Sequence, residues 1–141
     1  MIVQGLTTIF KANCLSRLED FTATSPYVYK LALYTADATL NSATATYTTA
    51  NEVVGTGYTA GGVVLTPIAP AYDNAANTAY VSFQNATWSG TSFTCRGGLI
   101  YNSTTGAAVA VLDFGSDKTA SNTFTVTFPV ADASSAVIRF S

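Results

Sequence analysis

The chain has 141 residues, enough for one domain with its own core and too few for two ordinary ones. Hydrophobic residues make up 48% and charged residues only 10%, which excludes a chain held open by its charges. Six Lys and Arg against eight Asp and Glu give a formal charge of -2, with no histidine; this excludes a basic footprint for nucleic acid and removes Ser-His or Cys-His nucleophile pairs and the commonest zinc ligand.

A mean hydropathy of +0.29 is distributed along the chain. Thr, Ser and Asn interrupt every apolar run before it reaches the roughly 18 residues of a membrane span. The first residues, Met1 to Leu6, carry neither the basic nor the long apolar region of a secretion leader. From Gly5 to Phe21 the apolar residues Leu6, Ile9, Phe10, Cys14, Leu18 and Phe21 recur at steps of three and four, which predicts a helix over about 5–21. From Tyr27 the period becomes two. Apolar residues occupy both phases of Tyr27 to Tyr34, as in a central strand covered on both faces.

Ala36 to Thr49 is rich in Thr, Ala, Ser and Asn and reads as a long surface loop. Glu52 to Val54 predicts a short strand, and Val63 to Thr66 another that Pro67 and Pro70 limit. Tyr72-Asp73-Asn74 opens a turn, and Ala79, Val81 and Phe83 mark the inward phase of the next strand. Trp88 follows, Ser89-Gly90 predicts a turn, and Phe93 to Tyr101 a strand with a bulge or bend at Gly97-Gly98. Asn102 to Gly106 predicts a turn, Ala107 to Phe114 a strand, and Gly115 to Asn122 a polar loop. Phe124, Val126 and Phe128 alternate with threonines, and Ala136 to Phe140 forms a final strand. The pattern is that of a single all-β domain over 1–141: an antiparallel two-sheet sandwich, jelly-roll-like, of about eight strands between about 27 and 140, with one N-terminal helix.

The motifs carry little chemistry. Asp113-Phe114-Gly115 matches the metal-binding triplet of protein kinases, but the lysine strand and catalytic loop that give it meaning are missing. The glycines around Tyr58 precede neither a helix nor a Gly-Lys-Ser/Thr, so they read as turn glycines. Asp113 and Asp117 form a possible carboxylate pair for glycoside hydrolysis or calcium, although two acids beside a glycine are ordinarily a solvated turn. Cys14 and Cys95 are too few for a disulfide framework and read as small core residues. The expectation is no catalytic residue, no cofactor and no metal. Tyr47, Tyr58, Tyr72 and Trp88 fall in or beside loops, where amphipathic rings serve protein interfaces or stack on sugars. They are the candidate partner-interface residues. Low charge with many aromatics is also the composition of an interface core.

The runs Lys30 to Thr35, Thr46 to Val53 and Gly55 to Gly62, followed by Arg96 to Asn102, Ala108 to Gly115 and the stretch Phe124 to Ile138, resemble small virion proteins of tailed bacteriophages. The group is that of the capsid cement, or decoration, proteins. The resemblance covers nearly the whole chain and implies a non-enzymatic jelly-roll module on the outer capsid surface, made in the host cytoplasm without a signal peptide. Its implied partners are the phage major capsid protein, whose neighbouring subunits it clamps, and copies of itself in a dimer or trimer; nucleic acid and membrane are not among them. The alternative is a tail-associated or surface-recognition module that binds carbohydrate.

Overall fold

A computed structural model describes residues 1–141. Its elements are β1 (Gly5–Leu6), α1 (Thr8–Leu15), β2 (Tyr29–Tyr34), β3 (Val63–Val64), β4 (Pro67–Asp73), β5 (Thr78–Phe83), β6 (Ala86–Asn102), β7 (Ala108–Val126) and β8 (Ile138–Phe140). They form two antiparallel sheets, one of five strands in the order β1-β7-β6-β2-β3 and one of three in the order β4-β5-β8. The fold is therefore the expected all-β sandwich with one short helix. No helix is long and apolar enough to cross a membrane.

Alternation along β2 explains the layering. Tyr29, Leu31 and Leu33 enter the larger core with Phe10, Phe83 and Ile138. Ala32 and Tyr34 point the other way, into a second cluster with Ile2, Leu40, Leu99 and Val111. The five-stranded sheet is thus covered on one face by the three-stranded sheet and helix, and on the other by the N-terminal segment and the loop after β2.

The helix is shorter than its periodicity predicts. Gly5 and Leu6 pair with Val111 and Ala110 of β7 instead. Thr7 then caps α1: its hydroxyl accepts from the Phe10 amide at 3.2 Å and donates to the Ala108 carbonyl at 2.9 Å. At the other end Arg17 takes a left-handed φ of 62°, and the Leu18 amide donates to the Asn13 carbonyl at 2.9 Å, closing a Schellman turn. Leu18 and Phe21 therefore follow the helix rather than extend it.

Further expectations are corrected. The strand expected over Val63 to Thr66 is only Val63–Val64 and ends before Pro67, but Pro67 and Pro70 themselves lie within the next strand, β4, an edge strand whose register shifts between Ile68 and Ala71, where a missing amide is tolerated. The turn then falls after Asp73 rather than at Tyr72. Glu52 to Val54 is not a strand, and contributes one bridge to Tyr34. The largest departure is the β6–β7 hairpin, of 17 and 19 residues. Ser89-Gly90 and Gly115 to Asn122, predicted as breaks, lie within it: Lys118 to Asn122 pair in regular register, and only Gly90 and the stretch before Lys118 are irregular. Gly90, with φ 63°, is an extra residue between the Ser89–Thr123 and Thr91–Asn122 pairs. Further along, Arg96 alone lies opposite the four residues Phe114 to Asp117, beside the expected bend at Gly97.

Candidate partner-binding surface

Tyr47 and Tyr58 converge on one buried acid. Glu52 is 7% exposed and accepts from the Tyr47 phenol at 2.7 Å, the Tyr58 phenol at 2.6 Å and the Gly61 amide at 2.6 Å. Tyr101, stacked on Tyr47 at a centroid distance of 4.6 Å, donates to the Gly61 carbonyl at 2.8 Å. Tyr34 donates to the Thr48 carbonyl at 2.6 Å. Burial, and then the neighbouring Glu52, push the phenols of Tyr34, Tyr47, Tyr58 and Tyr101 above their usual range. No cation is hydrogen-bonded to Glu52, so its charge is satisfied by neutral donors alone, and the arrangement ties the loop after β2 to the sheet. A second carboxylate, Glu19, accepts from the Tyr29 phenol at 2.6 Å and from the Asn102 amide at 3.3 Å, and desolvation raises its pKa.

The other two candidate aromatics have opposite surroundings. Trp88 is 4% exposed, packed against Tyr58 and Phe124, and its indole nitrogen has no hydrogen-bond partner. Tyr72 lies on the edge strand β4 and is 73% exposed. Of the four rings, Tyr72 alone is freely presented at the surface of the single chain; the fold does not bring the four together.

The distal half of the hairpin presents a regular surface. On its outer face four cross-strand rows pair Thr87 with Thr125, Ser89 with Thr123, Ser92 with Ser121 and Thr94 with Thr119. All eight are exposed. The first and last rows bring hydroxyls within 3.3 and 3.4 Å. The inner face of the same strands carries Trp88, Phe93, Cys95, Ala120 and Phe124. This hydroxyl face, without a charge over about 23 Å of strand, arises because Thr and Ser occupy both positions of these four rows, with exposed Gly90 and Asn122 between them at the bulge.

Beside it, a cleft of about 750 Å³ opens between β7 and the segment that carries β8, lined by Phe114, Phe124, Phe128 and Val137. Asp113 and Asp117 line it too, but Asp113 is engaged: it pairs with Arg96 at 3.0 Å and accepts from the Gly115 amide at 2.9 Å, contacts that hold its carboxyl below the usual carboxylate range. Both cysteines are free, Cys95 buried and Cys14 partly so, and burial pushes their thiols up to about 12 and about 11. No group of three or more Cys, Asp or Glu side chains is placed to hold a metal ion.

No family model matches the chain, and no curated protein or solved structure is significantly similar to it. Sequence reasoning singled out Tyr47 and Tyr58 but not Glu52, the acid they share. A lone Glu in a loop carries no signal of burial. The hydroxyl rows were partly legible in the strict alternation of Thr123 to Phe128, whereas the pairing across to β6 required the register.

Proposed function

We propose that this chain is a structural protein of a phage particle, one that binds the assembled capsid and stabilises the shell by bridging neighbouring major capsid subunits. The family resemblance of its sequence supports this reading. The structural observation that carries it is the uncharged hydroxyl face of the β6–β7 hairpin, held on a paired two-stranded ribbon. Depletion of charge is one mark of an interface core, and the exposed hydroxyls offer uncharged hydrogen-bonding groups to a partner. A module that binds the assembled lattice and not the free subunit adds its binding free energy to the lattice at every site.

The test is the heat tolerance of particles made with and without the chain, followed by addition of purified protein to the deficient particles. Restored resistance to thermal rupture, with binding to shells and none to free capsid subunits, is the expected result. Unchanged heat tolerance, together with loss of adsorption on Tyr72→Ala, would instead favour glycan recognition.

A further inference from the structure

We propose that the hollow between the three-stranded sheet and the segment after α1 is a socket for one arginine side chain of a partner protein, held by Glu19. The inference is independent of the capsid reading and of the hydroxyl face. The hollow has its origin in β5. Ala79, Val81 and Phe83 share one face of that strand; Val81 and Phe83 are buried in the core, whereas Ala79 is too small to fill its place and stays exposed. The space left is about 160 Å³, lined by Cys14, Glu19 and Phe21 from α1 and the segment after it, and by Ala79, Tyr80 and Phe140 from β5 and β8. A cavity of about 150 Å³ accepts a group the size of benzene, so this one takes a single side chain and not a length of backbone.

Charge selects the occupant. Glu19 is the only charged side chain that lines the hollow, and it is in no ion pair. An adjoining hollow of about 320 Å³, which shares Phe21, adds Asp20 and again no Lys or Arg. Glu19 also differs from Glu52, whose three donors all lie within 2.7 Å. Only the Tyr29 phenol approaches Glu19 that closely, at 2.6 Å; the Asn102 side-chain amide follows at 3.3 Å. Both of these reach Oε2, and Oε1 receives only the Asn13 side-chain amide at 3.5 Å, the limit of a hydrogen bond. Oε1 therefore keeps acceptor capacity. Burial, and then the charge of Glu19, raise the pKa of the Cys14 thiol, which places the carboxylate beside another lining residue.

Arginine suits the remaining walls. A guanidinium is planar, sheds water more readily than an ammonium and stacks on ring faces, which Phe21, Tyr80 and Phe140 supply. Its methylene stem finds apolar cover on Ala79 and Val81. The chain's own Arg17, two residues before Glu19, is exposed and makes no ion pair, so the place is open to a partner.

The experiment uses the full isotope-labelled chain and an acetylated, amidated five-residue peptide with one arginine at the centre of glycine and serine. Saturable amide shifts are expected in Glu19 to Phe21, Ala79 to Val81 and Ile138 to Phe140, with half-saturation at millimolar peptide. The peptide with citrulline, which keeps the shape without the charge, is expected to bind about fivefold more weakly, the factor a partly exposed ion pair supports. Glu19→Gln is expected to bring the arginine and citrulline peptides to within about twofold of each other. Ala79→Phe, which fills the hollow, is expected to abolish binding of both. Arg17→Gly, suited to the left-handed backbone at that position, is expected to leave binding unchanged. The proposal is overturned if the arginine peptide at tens of millimolar leaves these amides unmoved or moves others instead. Equal binding of the citrulline peptide, or a preference for arginine that survives Glu19→Gln, would also overturn it. Tighter binding of a lysine peptide would assign the hollow to an ammonium and contradict the arginine socket. Tighter binding to Arg17→Gly would show that the chain fills the hollow with its own arginine, leaving no place for a partner's.

Discussion

Glu52 is a carboxylate held without a cation, and its removal strands its donors rather than merely deleting a contact. Glu52→Ala leaves the Tyr47 and Tyr58 phenols and the Gly61 amide without their shared acceptor, and is expected to cost about 2–4 kcal/mol. Glu52→Gln keeps one acceptor oxygen and is expected to cost about 1–2 kcal/mol. Urea unfolding checks both, as a lower midpoint at unchanged slope. Buried phenols and thiols also set the alkaline limit. Desolvation raises the pKa of Tyr29 and Tyr34, and pushes the Cys95 thiol up to about 12. In the unfolded chain these groups lose their protons near about pH 8.5 to 10. The folded state therefore holds more protons above that range, so the stability these groups contribute is complete below about pH 8 and falls as pH rises. Each contributes a slope of up to about 1.4 kcal/mol per pH unit. Urea midpoints at about pH 8 and about pH 10.5 should differ steeply, and equal midpoints would contradict the account.

Two glycines separate backbone freedom from crowding within the elements. Gly62, with φ 77°, lies against the Leu31 carbonyl at the start of β3, so a methyl group there collides with the neighbouring strand. Gly90, with φ 63°, has open space at its Cβ position. Gly62→Ala is expected to cost at least about 3 kcal/mol, because strain and collision add. Gly90→Ala is expected to cost only about 1–2 kcal/mol, the strain of a left-handed residue. Thermal unfolding of the pair distinguishes the two effects. The same glycine shows where local reading of the sequence stops. Ser89-Gly90 looks like a turn, and it becomes an irregularity because Trp88 and Phe93 on either side both find the core. Gly115 to Asn122 looks like a polar loop for a related reason. Its Thr and Ser residues are an outward strand face, with only Ala120 fully inward to betray the alternation. The central strand β2 was legible because it is apolar on both phases; the length of the hairpin was not, because its register is a property of two strands together. The site aromatics were legible as side chains with a purpose, but Tyr47, Tyr58 and Trp88 spend their rings inside the fold and Tyr72 does not.

At the scale of the molecule, low charge and a broad hydroxyl face give one coherent expectation about assembly. Attachment that rests on apolar contacts and uncharged hydrogen bonds responds weakly to ionic screening. Purified protein is therefore expected to remain on particles between about 0.1 and 1 M salt at neutral pH; release by salt alone would show that ion pairs carry the contact. The proposed attachment would require many equivalent positions, since binding free energy is added only at the lattice sites that are occupied. The most direct test is the copy number of this chain in purified particles, measured against the major capsid protein. The account predicts hundreds of copies in fixed proportion to the shell subunits. About a dozen copies or fewer would place the chain at a tail or vertex and contradict it.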